Sequence, residues 1–233
     1  MLVPYETFLA NLERVRGRIA LACERCGRSA DRVDLLPVTK THPIEAARYA
    51  ARAGLRAVGE NRVQEALEKI AAADVELEWD LIGPLQSNKA KRVAQSISRV
   101  QSVDRAKIVR ALQRHAAEAG RTLPILLQVN AGDDPNKAGV SVDEAERLLE
   151  LALEQPNLEA QGLMTIAPLS DDPDVARRCF ARLRECRDRL RQDSGRALDE
   201  LSMGMSGDLE IAIEEGSTLA RVGSDLFGPR DDA

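Results

Sequence analysis

The stretch Leu35 to Glu60, LLPVTKTHPIEAARYAARAGLRAVGE, reads as a strand, a turn, a helix and a second strand. Leu35, Leu36 and Val38 form an apolar run of strand length, and Thr39 to Pro43 breaks it. Pro43 then starts a helix through Ile44, Ala47 and Ala51 that stops at Gly54, with proline in the first turn and glycine past the last. Arg56 to Glu60 is the second short strand. Two short apolar strands joined by an amphipathic helix are the repeating unit of a parallel sheet.

The same alternation extends in both directions. Upstream, Phe8, Leu12, Val15, Ile19 and Ala22 mark one apolar face of an opening helix that ends near Gly27. The first strand spans Asp34 to Lys40. Downstream of Glu60, a helix from Arg62 to about Ala73 turns Val63, Leu67 and Ile70 inward. Strands are expected at Glu78 to Gly83, Ser98 to Val103, Pro124 to Asn130, Glu159 to Thr165, Glu200 to Met203 and Leu219 to Gly223. Helices separate them at Ser87 to Gln95, Asp104 to Gly120 with Asp104 as cap, Ser141 to about Gln155 with Ser141 as cap, Asp174 to Gln192, and Gly207 to Glu215. Eight such units in about 230 residues predict a single α/β domain over 1–233, a (β/α)8 TIM barrel with an extra N-terminal helix, in preference to an open doubly wound sheet. No G-x-G-x-x-G follows the first strand, which removes the dinucleotide fingerprint of the open sheet.

Composition narrows the function classes. The formal net charge is -5 and aromatic residues make up 3%, so the chain offers neither a basic surface nor stacking platforms for nucleic acid. No signal peptide and no run of membrane length is visible, and a cytoplasmic monomer is expected. Cys23 and Cys26 form a C-x-x-C, yet they end a helical pattern, no second pair completes four metal ligands, and His42 and His115 are isolated. Together with Cys179 and Cys186 they read as packing or bystander thiols.

In a barrel the chemistry lies at the C-terminal ends of the strands. Here those ends carry Lys40, Glu60-Asn61, Gly83 to Asn88, Asn130, Met164-Thr165, Ser202 to Gly207 (SMGMSG) and Arg221 to Ser224 (RVGS). A lysine desolvated at a strand tip holds more free amine, the form that condenses with an aldehyde, although the same pattern fits a solvated lysine ending a strand. Ser206 and Gly207 after strand seven, with Gly223 and Ser224 after strand eight, fit a phosphate cradle; either segment alone also fits a tight turn. A Schiff-base lysine and a phosphate cradle are the two attachment points of pyridoxal 5′-phosphate. Arg221 would face its pyridine nitrogen and keep it unprotonated, Asn61 would bond the ring oxygen or a neighbour, and Met164 packs either on the ring or in the core.

The motifs VTKTHP (Val38 to Pro43), GENRVQE (Gly59 to Glu65), IGPLQSNK (Ile82 to Lys89), NKAG (Asn136 to Gly139), GLMTI (Gly162 to Ile166), SMGMSGDLEIAI (Ser202 to Ile213) and RVGSDLFGPR (Arg221 to Arg230) resemble the pyridoxal phosphate homeostasis protein family. That resemblance implies a barrel like the N-terminal domain of alanine racemase. It also implies a covalent aldimine of pyridoxal 5′-phosphate on Lys40, phosphate binding by Ser206, Gly223 and Ser224, Asn61 in the ring's surroundings and Arg221 near the pyridine; Ser202 and Met164 are expected with them among the cofactor-binding residues. The implied role is buffering the cofactor or delivering it to PLP-dependent apoenzymes, without turnover. Asp80 departs from the pattern, where the family often has histidine.

An amino-acid racemase is the alternative. It needs two bases, and the only tyrosines, Tyr5 and Tyr49, lie before and within helices. The chain ends at Ala233 directly after the eighth unit, where an alanine racemase would continue into an all-β domain. A lysine-dependent aldolase would need an acid beside Lys40; Glu60 is the near candidate, and a structural role suits it better.

Overall fold

The structure, a computed structural model, describes residues 2–229; Arg230, the last residue of the RVGSDLFGPR motif, lies outside them. Eight strands alternate with helices along the chain. They are β1 (Asp34–Pro37), β2 (Ala57–Glu60), β3 (Glu78–Leu81), β4 (Arg99–Val103), β5 (Leu123–Gln128), β6 (Leu158–Met164), β7 (Glu200–Ser202) and β8 (Leu219–Val222). The opening helix α1 (Tyr5–Arg25) precedes them. Helices α2 (Glu45–Arg52), α3 (Val63–Ala72), α4 (Ala90–Ser96), α5 (Ala106–Glu118), α6 (Ala145–Leu153), α7 (Pro173–Ser194), α8 (Leu209–Glu214) and α9 (Ser224–Phe227) follow the strands in order.

All strand pairs are parallel, in the order β1-β8-β7-β6-β5-β4-β3-β2. The remaining seam, between β1 and β2, is bridged at Val38 and Gly59, where the Thr39 N–H donates to the Gly59 carbonyl at 3.0 Å. The result is a nearly closed barrel. Strand alternation divides its residues cleanly. Val58, Leu81, Leu163 and Leu201 face the helical layer, while Leu36, Val38, Ile82 and Leu219 pack together as a small apolar cluster of their own.

The α1 stripe is buried as its spacing requires, with Phe8, Leu12, Val15, Ile19 and Ala22 against Leu209, Ile213, Ala220, Val222 and Phe227. The extra helix therefore seals the β7–β8 side of the barrel. Elsewhere the boundaries shift. On α3, Lys69 is buried and Ile70 only half-buried, because acidic partners above it hold the lysine inward. Asp104 does not cap α5: Arg105 is the cap residue, and its guanidinium takes the Asp104 carboxylate at 2.5 Å. Ser141 makes a reciprocal capping pair with Glu144, its hydroxyl accepting the Glu144 N–H at 3.3 Å, but regular helix begins only at Ala145. Residues 87–89 form a 3-10 turn ahead of α4.

Cys23, Cys179 and Cys186 are buried, and burial pushes the Cys179 thiol up to about 11. Among the described residues no helix is long and apolar enough to cross a membrane.

Candidate functional site

The residues singled out at the strand ends converge on one face of the barrel. Leu36 and Val38 belong to the small apolar cluster with Ile82 and Leu219, and Lys40 follows them in the same parity, half-buried in a turn at the rim. The register Pro37↔Val222 and the bond from the Val38 N–H to the Val222 carbonyl at 2.8 Å set the tips of β1 and β8 side by side. Gly223 lies so close to β1 that a Cβ there would stand 3.2 Å from the Val38 carbonyl oxygen. Lys40 and the Gly223-Ser224 turn are thus on adjacent strand ends. The Ser224 hydroxyl in turn meets the Ser206 hydroxyl at 3.3 Å, which joins the β7 and β8 loops. Among the described residues, no protein acceptor takes the backbone N–H of Ser206, Gly207 or Ser224.

Beneath the rim runs a chain of polar side chains that the sequence did not announce. Arg221, 4% exposed, donates from Nη1 to the Ser202 hydroxyl at 2.7 Å and from Nη2 to the Thr165 carbonyl at 2.8 Å. Ser202 Oγ donates to Gln101 Oε1 at 2.6 Å, and Gln101 Nε2 donates to Asp80 Oδ2 at 2.6 Å. Arg99 closes the chain on the same oxygen through Nε at 2.9 Å and Nη2 at 2.7 Å. From Arg221 through Ser202 and Gln101 the donors point in sequence to Asp80, where Arg99 donates from the far side, so the barrel interior holds a polarised relay that ends on one carboxylate between two cations. Burial raises the Asp80 carboxyl, and the Arg99 guanidinium opposes that rise. Burial also pulls the Arg221 guanidinium down to about 10, which leaves it cationic at neutral pH. Asp80 thus anchors the relay that orients Ser202 and Arg221. A signal for it lay in the period of two along β4, which puts Arg99 and Gln101 on one face.

A second buried cluster fixes the backbone on both sides of Lys40. Lys69 Nζ donates to the Thr39 carbonyl at 2.8 Å, to Glu60 Oε1 at 2.6 Å and to Glu65 Oε1 at 2.7 Å. The Thr39 hydroxyl donates to Glu60 Oε1 at 2.5 Å, and the Thr41 N–H donates to Glu65 Oε1 at 2.6 Å. Thr41 holds a φ of 66°, a left-handed conformation that a β-branched residue rarely adopts. The peptide groups before and after Lys40 are therefore clamped in a strained turn by one lysine and two glutamates. Among the described residues Glu60 Oε2 has no hydrogen-bond partner, and burial raises the Glu60 carboxyl against the opposing effect of Lys69.

Asn61 stands half-exposed at the β2 tip against the β3 tip, where a Cβ on Gly83 would fall 2.0 Å from its carbonyl oxygen. Met164 is fully buried, level with Ser202 in the β6–β7 register.

The α1 helix reaches this face through Arg18, which pairs with Glu210 and Asp225. The Arg18 fork holds the Glu210 carboxyl below the ordinary glutamate range. A carboxyl whose folded pKa is depressed stabilises the fold above its unfolded pKa of about 4.3 and loses that contribution as pH falls through the lower folded value. Acid titration followed by near-ultraviolet circular dichroism is therefore expected to show wild type losing stability below about pH 4 more steeply than Glu210→Gln, which has no such proton to take up.

Residues 10–231 match the family model for the alanine racemase N-terminal domain. The chain is 44% identical over 220 residues to the pyridoxal phosphate homeostasis protein of Aquifex aeolicus, covering 94% of this chain and 96% of that one. Among solved structures it resembles PipY of Synechococcus elongatus with PLP bound, with a TM-score of 0.80 and 37% identity over 92% of this chain and all of that one. An alanine racemase from Clostridium difficile shares the fold at a TM-score of 0.78 but only 12% identity, and this chain spans 56% of its length.

Proposed function

This chain belongs to the pyridoxal phosphate homeostasis protein family, and from that premise we propose that it binds pyridoxal 5′-phosphate at the barrel mouth, buffers it, and releases it to apoenzymes without turning over a substrate. One observation carries the reading: an amine-bearing residue and a hydroxyl-rich turn follow neighbouring, hydrogen-bonded strand tips, Lys40 three residues past β1 and Gly223-Ser224 directly past β8. The donor set fits the group. Ser206 and Ser224 bring two hydroxyls together, and the N–H groups around them await an anion's oxygens. Arg221 is a fixed cation that suits a neutral pyridine nitrogen, since it opposes a second positive charge nearby. When bound, the cofactor supplies an aldehyde and an electron-accepting ring.

The chain's own residues then do the following. Lys40 would hold the group reversibly through its amine. Ser206, Gly223 and Ser224 hold the phosphate, with Ser202 steadying Arg221. Asn61 and Met164 complete the ring's surroundings. The Lys69-Glu60-Glu65 cluster holds the turn that aims Lys40. Racemisation would require a second base across the ring from the lysine. Both tyrosines are spent elsewhere: Tyr5 and Tyr49 contact each other at 5.0 Å in the layer under α1, and the Arg52 guanidinium sits 4.1 Å above the Tyr5 ring. That supports storage over racemisation.

Borohydride treatment of the loaded chain followed by peptide mass mapping is the direct test. A phosphopyridoxyl mass on the peptide containing Lys40, lost together with the visible absorption band in Lys40→Ala, is expected. A reducible adduct retained at this site in Lys40→Ala overturns the lysine assignment. Enzyme-like racemisation of L-alanine, read by chiral analysis, overturns the storage reading.

A further inference from the structure

We propose that Arg18, on the extra helix α1, is a positioning residue for phosphate: it holds the β7 and β8 halves of the cradle together and aims the Gly207 N–H into it. The proposal rests on the reading of the Ser206–Ser224 pair as a phosphate cradle and adds what assembles it.

One guanidinium makes four donations to three segments. Nε donates to Glu210 Oε1 at 2.7 Å and Nη2 to Glu210 Oε2 at 2.9 Å, a bidentate grip on the first turn of α8. Nη1 donates to Asp225 Oδ2 at 2.5 Å, on α9 after β8. Nη2 also donates to the Ser206 carbonyl at 2.9 Å, in the loop after β7. The neighbouring α1 residues reinforce the β8 side, where Arg14 donates to the Asp225 carbonyl at 3.2 Å and Asn11 to the Leu226 carbonyl at 3.0 Å. Among the described residues, no other group bonds both Ser206 and Asp225.

Two consequences follow for an anion. In a trans peptide the carbonyl and the next N–H point in opposite directions. With the Ser206 carbonyl turned onto Arg18, the Gly207 N–H points away from α1, and it has no protein acceptor among the described residues. The second consequence is electrostatic. Glu210 and Asp225 are carboxylates next to the two cradle loops, and a phosphate ester with a charge near -2 would be repelled by both. Arg18 offsets part of their charge and takes both Glu210 oxygens and Asp225 Oδ2, which reduces the negative charge beside the N–H and O–H groups of the cradle. A lysine would keep the charge but not the fork, since a single ammonium does not reproduce a planar bidentate grip.

The test uses the full chain and compares two ligands that differ only in the phosphate. Affinities of wild type, Arg18→Met and Arg18→Lys for pyridoxal 5′-phosphate and for pyridoxal are measured by equilibrium dialysis, with thermal unfolding as a check on folding. Both variants are expected to lose about 10- to 100-fold in affinity for pyridoxal 5′-phosphate, the range of charge-assisted hydrogen bonds, while binding pyridoxal as wild type does. An equal loss for both ligands means a general structural role and overturns the proposal, as does no loss for either. Should Arg18→Met fail to fold, Arg18→Lys alone decides, by the same ratio. A wild-type chain that binds the two ligands equally well overturns the cradle reading itself, a result distinct from a wild-type preference that Arg18 variants leave intact.

Discussion

Replacing Lys69 with methionine is expected to destabilise the chain by about 3–5 kcal/mol, the usual result of removing one partner from a buried ion pair. The Lys69 ammonium is the common donor for the Thr39 carbonyl, Glu60 and Glu65, and the Glu60 side chain is wholly buried. Without Lys69, Glu60 keeps only the Thr39 hydroxyl, and its second oxygen already lacks a partner. Its carboxyl, already raised by burial, rises further once the opposing cation is gone.

The sign of the pH dependence follows. A carboxyl with a raised folded pKa binds more protons in the folded chain than in the unfolded one, so stability falls as pH rises. The methionine variant should therefore be weaker at pH 8 than at pH 5, and pairing it with Glu60→Gln should recover part of the loss at pH 8. Urea unfolding at the two pH values reads all of this. A loss below about 1 kcal/mol would place the cluster with solvated surface pairs instead. Because Lys69 and Glu65 also restrain the peptides on either side of Lys40, the same variant should relax the left-handed Thr41 turn and loosen the lysine it aims.

The second large effect is expected at Gly83, between the tips of β2 and β3. A methyl group there would stand 2.0 Å from the Asn61 carbonyl oxygen and 2.7 Å from both its carbonyl carbon and its Cγ. Backbone cannot rotate away as a flexible side chain does, so Gly83→Ala must separate two strand tips. The loss should reach about 3 kcal/mol, the upper end for overpacking, and lower Tm by about 6–12 °C for a chain of this size. Asn61 would move with it, so cofactor affinity should fall alongside stability. Gly17→Ala supplies the contrast. That glycine lies within α1 with nothing within 4 Å of an added methyl, and helix propensity predicts a gain of up to about 1 kcal/mol. Equal melting temperatures for the two variants would refute the steric argument.

Much of the candidate site was legible because barrel geometry converts chain position into spatial position. Once the strands were counted, Lys40, Ser202, Ser206, Arg221 and Ser224 fell at strand ends, and the structure brings these ends to one face. The supporting groups were not legible. Lys69 sits in an apolar helical stripe, where its charge reads as an interruption; only the fold shows that the stripe passes under Thr39 and Glu60. Asp80 looked like a mere departure from a motif, and its meaning depends on Arg99 and Gln101 arriving from the next strand.

The sequence by itself determined the eightfold alternation, the apolar face of α1 and a lysine just past the first strand, which ends at Pro37 rather than at Lys40. Those features are written in spacings of two and of three to four residues, which the backbone enforces locally. Tertiary structure alone decided which distant side chains meet. Arg18 and Glu210 are 192 residues apart, and Ser202 and Gln101 are 101 apart. No local period encodes such pairs, because they arise only when the barrel closes and α1 lies across its last two units.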